Sequence, residues 1–398
     1  MNKGEIGEDI VNKLAYASYL KYWCYPNPID LNGNRKEICD LLILFFDTAI
    51  IISVKNYNLS GNYNRFKKKV ITKSSKQLFG AERKLFKSRN DILIAHPEKG
   101  EELFNPKQYL NIFRITVSVG EDFENYEFID SIDGKGIVNI FNKETFEVIT
   151  TELDTIKDLV EYLKCRESLL IDNINTTQEC SEKDLLASYL MNKREFPTEI
   201  IDNFKEGTKS IRNKWKVYLN NRSVILKKMA EEKSYFIDQL VKNDVLKMPD
   251  GESLAKELMT LDRFERRRIA RNLYEIVEKY EDKDDFIARR FVEYNSVGFL
   301  FIYYPIEKTQ EEINLLLEKA MELYSYFHNS NKIVLLAASK GLKQWKFSLF
   351  KAFEVTPEIE KYMIKLANVL GWFKNEKRTI QQEFEYPDQE NTSPNKGS

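Results

Sequence analysis

Two apolar runs separated by a short polar break constrain this chain more than any other feature. The first runs Ile38-Cys39-Asp40-Leu41-Leu42-Ile43-Leu44-Phe45-Phe46, and the second Ala49-Ile50-Ile51-Ile52-Ser53-Val54-Lys55-Asn56. Only Asp47 and Thr48 lie between them. Apolar runs of this length, bounded by turn signals, read as buried strands. A two-residue break predicts an antiparallel hairpin turning at Asp47-Thr48. That pairing brings Asp40 and Lys55 to the same end of the hairpin. A buried sheet edge with one carboxylate and one lysine suits metal-assisted attack on a phosphodiester.

The rest of the chain divides in two. Residues 4–19 carry Ile6, Ile10, Leu14 and Ala17 at helical spacing. Pro26 and Pro28 then break the chain. After the hairpin we expect a polar loop at 58–64, a helix from about 74 to 89, and strands at 109–119, 137–141 and 146–150. A helix is expected at 153–170. Helix, hairpin, helix, strands and helix in this order predict an α/β domain with a mixed central sheet flanked by helices, residues 1–172. Residues 173–183 are polar and aperiodic and read as a linker. Residues 184–386 form a second domain, charged and mostly helical to about 294. Residues 297–304 and 333–338 read there as buried strands around a helix at 309–327, a small α/β unit. Residues 387–398 read as a disordered tail.

Composition excludes several classes. The chain has 398 residues, a net charge of −1 and two histidines, His96 and His328, both read as loop residues. A histidine-based triad or a multi-histidine metal site is therefore excluded. The four cysteines, Cys24, Cys39, Cys165 and Cys180, are scattered and read as core residues in a reducing compartment. No apolar run approaches the roughly 20 residues of a membrane span. The first residues lack the apolar core of a secretory signal. A cytoplasmic location without membrane attachment is expected. No glycine loop that would cradle a nucleotide phosphate occurs.

Phosphodiester hydrolysis requires neutralised charge at the phosphate and an activated water. Asp40 offers an oxygen ligand for Mg²⁺ or Mn²⁺, and the Val54 carbonyl another. Ser53 and Lys55 lie two apart on a strand and share a face. Lys55 can orient or deprotonate water, or hold developing negative charge. Glu8, on the first helix, can reach the same end of the sheet with a second carboxylate.

These residues in this order resemble the PD-(D/E)XK restriction-endonuclease-like superfamily, in its nuclease-related branch. Residues 4–11 are similar to the GExGExxV helix of that branch, and Val54-Lys55-Asn56 to its VKN strand end. Gln77, in Lys76-Gln77-Leu78-Phe79-Gly80-Ala81-Glu82, is similar to the helix glutamine of several branches. The resemblance covers about residues 1–172. It implies a restriction-endonuclease-like fold, with Asp40 as metal-binding acid, Lys55 as catalytic lysine, Glu8 as auxiliary carboxylate and Gln77 as a site residue. It also implies a Mg²⁺- or Mn²⁺-dependent endonuclease, with bacterial restriction or anti-phage defence as a fitting role. One position departs: the acid usual two residues before the lysine is Ser53. Glu5, Glu37 and Glu82 are the candidates for a displaced acid.

Residues 61–89 hold ten basic residues against one acid, Glu82, a net +9. Such a cluster binds polyanions without regard to sequence. Lys67, Lys68, Lys69, Lys73, Lys76 and Arg83 are the expected nucleic-acid contacts, with DNA favoured over RNA. Tyr57, Tyr63 and Phe66 are positioned in sequence to stack on bases. A second basic run spans 205–228, while Arg266, Arg267, Arg268 and Arg271 sit among acids and read as a salt-bridged helix surface. The second domain is expected to sense, bind or assemble, through self-association or a partner protein. Two alternatives stand beside an active nuclease. One is a weakened nuclease fold that binds nucleic acid or serves as a scaffold. The other places the activity in the C-terminal α/β unit.

Overall fold

A computed structural model describes residues 3–33, 35–88, 91–120, 123, 126–132, 136–171, 179–206, 210–283, 287–305, 308–374 and 384–387. The chain forms two compact units, residues 1–221 and 222–398.

The first unit is built on a mixed sheet. In chain order its elements are α1 (Lys3–Tyr19), β1 (Cys24–Pro26), β2 (Leu41–Phe45), β3 (Thr48–Lys55), α2 (Tyr63–Phe66), a π-helical segment (Lys67–Thr72) and α3 (Lys73–Lys87). There follow β4 (Leu93–His96), β5 (Gly100–Leu103), β6 (Asn111–Ser118), β7 (Ile129–Ile132), β8 (Gly136–Asn142), α4 (Lys143–Glu152) and α5 (Ile156–Leu170). The unit closes with β9 (Glu179–Cys180), α6 (Glu182–Met191), α7 (Thr198–Lys205), β10 (Ser210–Ile211) and α8 (Lys214–Leu219). Six strands order as β1-β2-β3-β6-β8-β7. β3, β6 and β8 are parallel, and the flanking pairs are antiparallel.

The hairpin sits at the centre because both of its faces are apolar; every residue of β2 and β3 is buried. Leu42, Leu44, Ala49 and Ile51 pack against Leu78, Phe79, Ala81 and Leu85 of α3. Alternation along the strands therefore turns Asp40, Ser53 and Lys55 to the α3 side as well. α1 packs against β3 from the other face, where a Cβ added at Gly7 would lie 3.3 Å from Val54 Cγ1 and 3.2 Å from Asn56 Cβ. A side chain there would force Asn56 or Val54 to give by a few tenths of an ångström.

The turn falls one residue earlier than expected. Phe45 pairs with Thr48, leaving Phe46 and Asp47 in the turn, because the Asp47 carbonyl accepts from the Leu110 and Asn111 amides. Residues 146–150 are helical rather than a strand. The Asn142 side chain caps α4 by accepting from Thr145 N at 2.8 Å, and Phe146, Ile149 and Thr150 bury one helical face. The helix expected at 74–89 starts at Tyr63, inside the predicted loop, and passes through the π segment. His96 is a buried residue of β4 whose Nδ1 accepts from the Glu98 and Lys99 amides.

The division between units also differs from the expected linker. Residues 173–178 of that stretch lie outside the described residues. Glu182 belongs firmly to the first unit: the fully buried Arg166 donates to both its oxygens at 2.8 Å, and Tyr162 Oη donates at 2.6 Å.

The second unit comprises α9 (Arg222–Glu231), α10 (Tyr235–Asn243), α11 (Gly251–Met259), α12 (Arg263–Tyr280), β11 (Ala288–Tyr294), β12 (Val297–Tyr304), α13 (Gln310–His328), β13 (Lys332–Ser339), β14 (Trp345–Lys351) and α14 (Pro357–Leu370). β12, α13 and β13 form the expected α/β unit with parallel strands. β11 and β14 extend it to four strands in the order β11-β12-β13-β14, so the helical stretch ends before Ala288. Leu300, Ile302, Leu335 and Ala337 form one core with Ile313, Leu317 and Leu323 of α13 and Met363 of α14. His328 ends α13, stacked on Phe291 at 4.4 Å between centroids. Arg263 and Arg266 are buried and both bonded to Asp238, so this part of the arginine run is interior rather than surface. Of the expected tail, residues 387–398, all but Pro387 lie outside the described residues. No helix among the described residues is long and apolar enough to cross a membrane.

Candidate active site

One cleft of about 450 Å³ gathers Glu37, Asp40, Ser53, Gln77, Gly80 and Lys84 along its walls. Three of these come from the hairpin and the segment before it, and three from α3. The helix is held over the sheet by polar pins. Ser74 Oγ lies 2.8 Å from Thr116 Oγ1, Ser75 Oγ donates to Asp130 at 2.5 Å, and Arg114 Nε donates to Glu82 at 2.5 Å. Glu82 is thereby consumed beneath the helix and leaves the list of displaced acids. Gln77, on the cleft side of the same helix, faces Asp40 and Ser53.

Asp40 Oδ2 is the focus of the site. Ser53 Oγ donates to it at 3.1 Å, Val54 N also donates to it, and Lys55 Nζ stands 3.7 Å away. Lys55 is buried. Desolvation lowers its pKa and the ammonium of Lys73 lowers it further, while Asp40 opposes both. The Val54 carbonyl accepts from Lys55 Nζ at 3.2 Å. The oxygen expected to bind metal is thus occupied by the lysine.

Glu37 completes the acidic side. Its backbone forms an isolated antiparallel bridge with Ile29. Partial desolvation pushes its carboxyl up to about 7; a side-chain hydrogen bond with Asp40 and the charges of Asp40 and Glu8 add to the rise, and Lys55 opposes it. Glu8 reaches this corner from the other face of the sheet. Asn27 ties the two together: its amide N–H donates to the Asp40 carbonyl at 3.0 Å and its side chain donates to Glu8 Oε2 at 3.1 Å. Asn27 takes φ of 45° to do so, a left-handed conformation that asparagine tolerates. Glu5 is exposed on α1. Asn27, Lys84 and Lys36, which also lines the cleft, are site residues that sequence reasoning missed. A residue between two prolines is the only sequence signal that marks Asn27.

The basic segment divides on inspection. Lys67 pairs with Glu127 at 2.7 Å, and Lys69 lies over the Tyr57 ring at 5.7 Å. Among the described residues no acid pairs with Lys68, Lys73, Lys76, Arg83 or Lys87, and all five are exposed. Of the aromatic residues proposed to stack on bases, Phe66 is buried and Tyr57 and Tyr63 are half-buried. Phe66 is buried in a small core with Val70 and Ile140, Tyr63 stacks on Phe66, and Tyr63 Oη donates to Glu127.

The donor chemistry accommodates a hard divalent cation. Mg²⁺ uses one or two carboxylates and fills its octahedron with water and phosphate oxygens. A cation at Glu37 would take the place of the proton that its raised pKa retains. Beyond this pair the protein supplies little: among the described residues no group of three or more His, Cys, Asp or Glu side chains is disposed to hold a metal ion. No protein-family model matches the chain, and neither curated proteins nor solved structures give a significant match.

Proposed function

We propose that the protein is a metal-dependent nuclease of restriction-endonuclease-like fold that cleaves nucleic-acid phosphodiester bonds, DNA in preference to RNA. A role in bacterial restriction or anti-phage defence fits this activity. The observation that carries the reading is Asp40 on the α3 side of the hairpin, bonded to Ser53, 3.7 Å from Lys55 and on the wall of a cleft that Gln77 also lines.

Asp40 and Glu37 would hold Mg²⁺ or Mn²⁺, with Glu8 beside Glu37. When bound, the ion supplies charge neutralisation at the phosphate and a water of lowered pKa. The chain's own residues do the rest. Lys55, held in place by Asp40 and the Val54 carbonyl, presents an ammonium whose proton is more labile than that of a solvated lysine. As the neutral amine it can take a proton from the attacking water, and as the ammonium it can give a proton to the leaving oxygen or balance its charge. Gln77 has both amide donor and acceptor to orient water or phosphate. The exposed cations of α3 hold the backbone. The second unit would sense, bind or assemble, through self-association or a partner protein.

A second reading has its own observation. Asp40 Oδ2 already accepts from Ser53 and Val54 N beside the Lys55 ammonium. A site so satisfied without metal suits a nuclease fold that binds nucleic acid as a scaffold and does not cut. Cleavage assays on plasmid, linear and single-stranded DNA and on RNA, with and without Mg²⁺, separate the two. Metal-dependent product supports the first reading; salt-sensitive binding without product supports the second.

A further inference from the structure

Lys73, Lys76, Gly80, Arg83 and Lys87 fall at positions i, i+3, i+7, i+10 and i+14 of α3. At helical pitch they form one stripe within an arc of about 80° and roughly 21 Å long. Its four cations are exposed, and among the described residues none pairs with an acid. The only acid of the helix, Glu82, is turned to the opposite side and bonded to Arg114.

The glycine in the middle has no structural reason to be there. Glycine is the least favourable helix-interior residue after proline. A Cβ added at Gly80 would have nothing within 4 Å, so no close packing demands its absence. Gly80 instead lines the cleft that holds Asp40, Ser53 and Gln77. Its missing side chain lowers the rim of that cleft at the centre of the cationic stripe.

We propose that the sugar-phosphate backbone of a double-helical nucleic acid crosses α3 at Gly80, flanked by Lys76 and Arg83, and so descends to the cleft at Asp40. This rests on the nuclease reading for what happens in the cleft, but the crossing itself is a binding property. A paired substrate is inferred because Tyr63 and Phe66 are packed on each other and into a small core. Single-strand binding without sequence preference relies on exposed aromatic platforms, and the stripe contacts phosphates alone.

The test is equilibrium binding of the full-length protein, with Ca²⁺ in place of Mg²⁺ to prevent turnover. Probes are a labelled DNA duplex of about two turns, the RNA duplex of the same sequence and the single DNA strand. Gly80→Ala and Gly80→Gln both raise Tm if they only improve the helix. Gly80→Gln is expected to weaken duplex binding about tenfold at unchanged salt slope, since it removes no charge. Lys76→Gln and Arg83→Gln each reduce the slope of log K against log salt by about 0.9. The duplex bound more tightly by wild type identifies the natural source. Should Gly80→Gln misfold, Gly80→Ala carries the comparison, with a smaller loss expected. Wild-type affinity in a folded Gly80→Gln overturns the crossing, as does single-strand binding equal to duplex binding or absence of duplex binding at low salt. Asp40→Ala separates the two readings. If it binds duplex normally and wild type shows no cleavage, the nuclease reading fails while the crossing stands.

Discussion

Ser53 Oγ donates a 3.1 Å hydrogen bond to Oδ2 of Asp40. A hydroxyl stands where a second carboxylate would share a cation with Asp40, and it uses Asp40 as its acceptor. Ser53→Asp should therefore tighten Mg²⁺ binding about tenfold by adding ligand charge. It should also lower the metal-free Tm, because two carboxylates would face each other with only Lys55 to balance them. Titration calorimetry and thermal melts with and without Mg²⁺ check both. An unchanged affinity would show that Ser53 does not face the cation.

The Glu37 carboxyl gives the site a pH signature. Its ordinary value of 4.5 is raised to about 7 in the folded protein. Between those values the folded state holds a proton that the unfolded state has lost. The contribution to metal-free stability is therefore fully present below 4.5 and is lost as pH rises through about 7. Metal competes with that proton, so Mg²⁺ affinity should rise from pH 6 to 8 with release of up to one proton. Glu37→Gln should flatten the pH dependence and weaken binding. A wild-type affinity equally flat across this range would contradict the raised Glu37 pKa.

The hairpin and its burial were legible because an apolar run of this length admits little else, whereas its place inside the sheet, between β1 and β6, was not. Ser53 and Lys55 followed from alternation along one strand, Asp40 from the pairing of the two strands, and Gln77 from the resemblance to the restriction-endonuclease-like superfamily. Glu37 and Asn27 were less legible. They sit in the irregular segment between Pro26 and Ile38, where position is set by the Ile29–Glu37 bridge and by φ of 45° at Asn27, and neither leaves a periodic trace. Residues 146–150 misled because their β-branched composition resembles a strand, while the period of their buried residues is helical. The π turn at 67–72 hid the early start of α3 by shifting its register.

Arg166 is fully buried, with Glu182, Tyr162, Asn139 and the Phe128 carbonyl as its surroundings. Arg166→Met should cost about 3–5 kcal/mol by leaving Glu182 buried and unpaired. Arg166→Met combined with Glu182→Leu should recover much of that loss. Denaturant melts of the two single variants and the double variant measure the coupling. Additive losses would mean the pair is not a unit.

Gly7 sets the distance of α1 from β3. Gly7→Val pushes against Asn56 and Val54, whose atoms lie 3.2 and 3.3 Å from its Cβ position, at a cost of about 1–3 kcal/mol. Because Glu8 moves with the helix, cleavage should fall further than Tm alone explains, while duplex binding through α3 stays near wild type. Loss of binding in step with cleavage would place α1 in the binding surface instead.

The central claim is that Asp40 and Lys55 form a phosphodiester-cleaving pair. It is tested most directly by Mg²⁺-dependent cleavage of plasmid and linear DNA by wild type, Asp40→Ala and Lys55→Ala, with folding verified by thermal melts and binding measured in Ca²⁺. The account predicts product from wild type alone, abolished by chelation, with all three proteins folded and binding duplex. Equal cleavage by all three would contradict it, as would no cleavage by wild type on any substrate.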